Sequence, residues 1–180
     1  MEAGGGGGEA GKNEEGMNTA SLAPAAAPLP PRVAYELAAR RHMTDAETLF
    51  AAGRLANAGQ LYGFVAECGL KALLLACGIQ PDADGDIPRK RPAPDKGKHP
   101  LREHMPLLMS NITADFQIVP DGVQANRYLA LVPNRNDFHD WLVDHRYWRD
   151  TALPASVSLW RAGAREISTM LDQAQQDGVL

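Results

Sequence analysis

Twenty-four residues from Arg54 to Cys77, RLANAGQLYGFVAECGLKALLLAC, run without a proline and are dominated by Ala and Leu. An unbroken run of good helix formers predicts one long α-helix, closed by Gly78 with Pro81 just beyond. Its second half, LKALLLAC, is apolar nearly all round, and a helix without a polar face has to be covered on every side. This helix is therefore central, and the rest of the chain must pack around it. Gly59 and Gly63 lie one turn apart and, with Ala56 and Ala66, leave a shallow strip on which another helix can cross closely.

The remaining segments supply that cover. From Arg32 to Gly53 the apolar residues Val33, Leu37, Leu49 and Phe50 have helical spacing, and a Thr44-x-x-Glu47 capping box predicts a restart of the helix at Thr44. HPLREHMPLLM (99–109) predicts a short helix entered at Pro100 and disturbed at Pro106. A turn near Pro120-Asp121-Gly122 leads to another helix from Val123 to Val132. Val157, Trp160, Ala164, Ile167 and Leu171 recur at three and four residues, which paints one apolar stripe on a helix from Ala155 to Gln175. No run alternates at period two for long enough to build a sheet. The expected fold class is all-α, a bundle of four to five helices.

Two segments fall outside this pattern. Residues 1–31 are rich in Gly, Ala and Pro with almost nothing to bury, so chain entropy predicts a disordered tail ahead of a single domain at 32–176. The glycine run in that tail has no strand before it and no helix after it to aim its amides at a phosphate, and no cofactor is expected. Residues 78–98, GIQPDADGDIPRKRPAPDKGK, hold four prolines and no apolar periodicity, and read as a long loop.

A formal net charge of −4 gives no global field that would gather phosphate backbones, so any nucleic-acid contact has to be local. Cys68 and Cys77 stand nine residues apart on opposite faces of one helix, about 13 Å along its axis, and cannot bridge. Buried free thiols fit a reducing compartment, and the expected location is cytoplasmic. The longest strictly apolar run, ALLLACGI (72–79), is too short to span a bilayer, so no membrane association is expected.

The strings DAETLFAAGRLANAGQLYGFVAECGLKALLLACG (45–78), KHPLREHMPLL (98–108) and WLVDHRYW (141–148) resemble, in order and spacing, the HEPN domain family, over roughly residues 35–175. The family's "A-E-x-x-L-K-A" core reads here as Ala66, Glu67, Leu70, Lys71 and Ala72. Its "H-x-L-x-x-L" element falls on His99, Leu101 and His104, and its "R-Y" element on Arg146 and Tyr147. The resemblance implies a HEPN-like bundle that forms a homodimer and binds a protein partner of the nucleotidyltransferase type, a nucleotide or RNA, in a stress, defence or toxin–antitoxin setting.

Several residue groups carry candidate chemistry. Glu67, flanked by Val65, Cys68, Leu70 and Leu73, is expected to be buried and must find a cation. Lys71 at i+4 is one candidate, and Arg146, which the resemblance also implies, is the better one. An unpaired Glu67 would instead signal a small-molecule pocket between the second helix and the HRYW segment, with His145, Arg146 and Tyr147 on its far side. Many relatives are metal-independent ribonucleases that use an Arg and a His with four to six residues between them. The nearest string here, VPNRNDFHDW, places Arg135 and His139 with three residues between them, a departure from that pattern. On a helix the two would still share a face, with His moving a proton and Arg neutralising charge on the phosphorane.

His99, His104, His139 and His145, with Asp137, Asp140 and Asp144, match no established metal spacing, so no metal is expected. His99 and His104 are expected to cap or line the short helix. Arg89, Lys90, Arg91, Lys96 and Lys98 make a local basic patch that could meet RNA, nucleotide phosphates or an acidic partner. Phe138, Trp141, Tyr147 and Trp148 form either a base-stacking wall or part of the core. Three readings follow: a non-catalytic HEPN-like binding module, a ribonuclease using Arg135 and His139, and a small-molecule binder around Glu67 and Arg146.

Overall fold

The structure is a computed structural model that describes residues 31–91, 94, 97–114 and 119–180. The expected tail, apart from Pro31, and Lys96 of the basic patch lie outside the described residues. Among the described residues five α-helices follow one another: α1 (Tyr35–Ala51), α2 (Leu55–Ala76), α3 (Leu107–Ala114), α4 (Gly122–Leu129) and α5 (Val157–Gln176). Single turns of 3-10 helix stand at Pro100–Arg102, Val143–Tyr147 and Asp150–Ala152. Among the described residues there is no strand, only an isolated antiparallel bridge between Lys90 and Lys98. The fold is all-α, a small helical bundle, and Pro31–Leu180 forms one compact unit.

Helix α2 is the centre, as its missing polar face requires. It packs against α1 on one side and α5 on another, with the 143–147 turn on a third. Val65, Ala66, Leu70, Leu73 and Leu74 are fully buried along it. The α1–α2 corner turns on Gly53, whose φ of 72° lies in the left-handed region where a side chain would be strained. Arg54 N–H then reaches back to the Leu49 carbonyl at 2.9 Å and closes the end of α1.

Helix α1 runs straight through Thr44, and the expected restart is corrected. The Thr44 hydroxyl donates to the Arg40 carbonyl one turn back, at 3.1 Å, instead of capping a new helix. Glu47 is held elsewhere, between Arg161 at 2.6 Å and Arg165 at 2.9 Å. The fully buried α1 side chains are Ala39 and Ala46, while Leu37 is exposed. Small residues face α2 because the two helices cross closely.

The strip of small residues on α2 receives rings as well as a helix. A Cβ on Gly59 would collide with Trp160 of α5, and one on Gly63 would overlap Trp141. The Trp141 indole N–H donates to the Gly59 carbonyl at 3.1 Å, which satisfies its polar edge in the core. On α5 the expected stripe is the buried face: Val157, Trp160, Ala164, Ile167 and Leu171 all point inward, joined by Met170 and Ala174.

Among the described residues of 78–98 there is no helix, and this described part is anchored at both ends. Ile79 and Ile87 are buried, and Arg91 N–H to Gly97 and His99 N–H to Arg89 close a short hairpin. The expected short helix after it is one 3-10 turn at Pro100–Arg102; the chain then extends at Glu103, and α3 starts after Pro106. Helix α4 begins under the Asp121 side chain, which accepts from Gln124 N–H at 2.9 Å, and ends at Leu129 rather than Val132.

Candidate functional site

Glu67 is 7% exposed and Lys71 5%, one turn apart in the middle of α2. Lys71 Nζ lies 2.7 Å from Glu67 Oε1, so each buried charge is neutralised by the other. The other oxygen, Oε2, lies 2.8 Å from His104 Nδ1. The expected pairing of Glu67 with Arg146 is therefore corrected. Arg146 is exposed, and its guanidinium sits over the Tyr147 ring at 4.7 Å from the centroid. The helical spacing i,i+4 places Lys71 on Glu67 at no cost in chain ordering, whereas Arg146 belongs to a turn that meets α2 at Gln60, about two helical turns before Glu67.

The polar cluster extends beyond α2. The Tyr35 ring is 5.5 Å from Lys71 Nζ, and its hydroxyl donates to Asp86. Burial first, and then this bond to Asp86, hold the Tyr35 hydroxyl well above the usual tyrosine range. Asp86 also takes Arg102 at 2.5 Å, and Arg102 donates to the Ile87 carbonyl at 2.6 Å, so the first 3-10 turn is tied to Asp86 and Ile87. Cys68, beside Glu67, is half-buried, and burial followed by the Glu67 charge pushes its thiol up to about 11. Burial likewise pushes Cys77 up to about 11, and neither thiol has the character of a nucleophile.

His99 is buried and caps the first 3-10 turn, accepting from Leu101 N–H at 3.3 Å. Burial lowers its pKa below the ordinary imidazole value. His104 does not line that turn; it reaches across to Glu67.

Arg135 and His139 stand in a turn and not on a helix. Pro133 blocks a helical start, and the segment closes instead through Asp137 N–H to Asn134 and His139 N–H to Asn136. Arg135 folds back to donate to the Leu129 carbonyl at 3.1 Å. His139 Nδ1 lies 2.8 Å from the Asn136 carbonyl, which makes it the donor of that bond. Both side chains are thus turned toward carbonyls of their own stretch of chain.

The four aromatic residues of this region separate into two pairs. Phe138 and Trp141 are core, against Gly163 and Gly63 respectively. Tyr147 and Trp148 lie on the surface, 73% and 45% exposed. What holds Trp148 there is His145, buried with its ring stacked on Trp160 at 5.7 Å and edge-on to Trp148 at 4.5 Å. Burial lowers its pKa, so it sits as the neutral ring that accepts from Leu142 N–H. Arg146 and Arg149 flank the two exposed rings, and neither makes an ion pair among the described residues. Sequence reasoning placed all of these residues together but could not say which aromatics face out. The signal was present in the small-residue strip on α2, which needs large rings to fill it.

Hollows lie elsewhere on the surface. One of about 450 Å³ is lined by Phe50, Leu55, Leu153, Pro154 and Val157. One of about 480 Å³ lies along Tyr35, Leu37, Leu75 and Leu180. A charged one of about 260 Å³ sits among Arg32, Asp84, Asp86, Arg89 and Arg102. None of these is lined by Glu67 or Arg146, and Glu67, which a small-molecule pocket would leave unpaired, is paired with Lys71. Among the described residues no group of three or more His, Cys, Asp or Glu side chains could hold a metal ion, and no helix is long and apolar enough to cross a membrane.

Comparison with models of known protein families finds no match for this chain, and comparisons with curated proteins and with solved structures find none either.

Proposed function

We propose that this chain is a HEPN-like helical module that binds single-stranded RNA or a nucleotide on the surface of its 142–149 segment and does not cut it. The observation that carries this reading is the pair of consecutive exposed rings, Tyr147 and Trp148, between two arginines without acidic partners. Aromatic side chains are costly to leave in water, and one that is presented on a rigid support offers a ready stacking face for an unpaired base. The support is rigid because His145 is clamped between Trp148 and Trp160. Asp144 and Asp150 offset Arg146 and Arg149, so stacking supplies most of the affinity and charge only a part.

The ribonuclease reading gains nothing from the geometry, since Arg135 and His139 are each engaged with a local carbonyl. The homodimer, the nucleotidyltransferase-type partner and the stress, defence or toxin–antitoxin setting that the resemblance implies extend the proposal, and sedimentation of the purified chain tests the first of these.

Trp148 is the exposed one of three tryptophans, so its fluorescence reports directly on stacking. Titration with a short mixed-sequence RNA is expected to quench it, and W148A to weaken binding about ten- to a hundredfold, the range for one stacked base. With at most two phosphate contacts, the salt slope is expected to be shallow, about −1.4 for a single strand. Unquenched fluorescence together with unaltered binding in W148A would remove this surface from the account.

A further inference from the structure

Glu67 and His104 meet where the segment leading into α3 crosses α2. Glu67 is buried, and its charge is already balanced by Lys71. A neutral imidazole is therefore enough to complete the cluster. A carboxylate oxygen only accepts, so the proton of that neutral ring stands on Nδ1, 2.8 Å from Glu67 Oε2. The lone pair is then on Nε2, at the far end of a side chain that is 60% exposed, and Nε2 has no partner among the described residues.

His139 provides the contrast within the same molecule. It too is exposed and directs Nδ1 at an oxygen 2.8 Å away, but that oxygen is the neutral Asn136 carbonyl. When Nε2 of an imidazole bonds to an electrophile, positive charge develops on the ring. A carboxylate at Nδ1–H stabilises that charge far better than a carbonyl does.

We propose that Glu67 and His104 form a nucleophilic dyad, with His104 Nε2 as the attacking atom and activated acyl donors, esters or acyl phosphates with a good leaving group, as the substrate class. In the first step the Nε2 lone pair attacks the acyl carbon, the bond from that carbon to the leaving oxygen breaks, and the leaving group departs as an anion. The acylimidazolium that remains keeps its proton on Nδ1, hydrogen-bonded to the Glu67 carboxylate. Water then cleaves the N–C bond, releasing the carboxylic acid and one proton and restoring the neutral ring. Lys71 is a positioning residue: it holds Glu67 Oε1, so Oε2 is left for the ring.

The test uses the full chain with 4-nitrophenyl acetate, following nitrophenolate release and, by rapid quench and mass spectrometry, the residue that carries the acetyl group. The acetyl group is expected on His104, with release in excess of H104A. In E67Q the rate is expected to fall about tenfold, the equivalent of about 1.4 kcal/mol between a charged and a neutral acceptor. Nitrogen NMR of the wild-type chain labelled at histidine checks the geometry without any substitution, and His104 is expected as the Nδ1–H tautomer. Equal rates in wild type and H104A, acetylation elsewhere only, or an Nε2–H tautomer at His104 would each overturn the dyad.

Discussion

At the scale of single residues, the Glu67–Lys71 pair carries the largest stake. Removing one partner leaves a bare charge in the core, so K71M is expected to lower the unfolding free energy by about 3–5 kcal/mol. The double variant E67M/K71M, which removes both charges, is expected to recover most of that loss, and denaturant melts of wild type and these two variants check it. Gly63 is the second sensitive position. Any Cβ there overlaps the Trp141 ring, and G63A is expected to cost about 1–3 kcal/mol through displacement of that ring, read as a lowered midpoint in the same melts. That Glu67 is buried and needs a cation was legible from its apolar neighbours in the sequence. Which cation serves was not, because spacing along one helix and contact across the fold both satisfied the chemistry. The local partner won, since Lys71 is already one turn away on the same helix.

Helices α1 and α5 are joined on the outside by charge as well as by packing. Arg161 grips Glu47 with two nitrogens, at 2.8 and 2.6 Å, and Arg165 adds a third bond at 2.9 Å. The bond to Arg161 is the main cause that holds the Glu47 carboxyl down at about 2. A carboxylate with a lowered pKa stabilises the fold above its unfolded value of 4.5, and that contribution is lost as the pH falls from there through about 2. Because the cluster is partly exposed, E47Q is expected to cost only about 1 kcal/mol at neutral pH and to flatten the acid limb of the stability profile. The helices themselves were the most legible part of the sequence. The α2 run and the α5 stripe have strong periodicity, and both ends of each lie within two residues of the expected positions. The Thr44 box and the helix at Val123–Val132 were read less well. Both expectations rest on local propensity, which the packing of Ala46 against α2 and the turn around Pro133 override.

For the whole molecule, three histidines add a second acid-sensitive window. Burial lowers the pKa of His42, His99 and His145 below 6.5, so the unfolded chain binds protons there that the folded chain does not. Their contribution is present above pH 6.5 and is lost as the pH falls through it, which predicts a drop in melting temperature between neutral pH and about pH 5, ahead of the Glu47 limb. The surface that the account makes functional was only half legible. The sequence placed Arg146, Tyr147 and Trp148 together, but exposure depends on Trp141 and Trp160 filling the glycine strip of α2, which is a property of the assembled bundle. The central claim is that this surface binds RNA and does not cut it. A labelled single-stranded RNA incubated with the purified chain in EDTA, and examined for both mobility and length, tests the two halves together. The account predicts intact RNA in a retarded complex that is lost in the Y147A/W148A variant while the helical signal is retained. Shortened RNA that disappears in H139A, or no retarded complex with a folded wild-type chain, would contradict it.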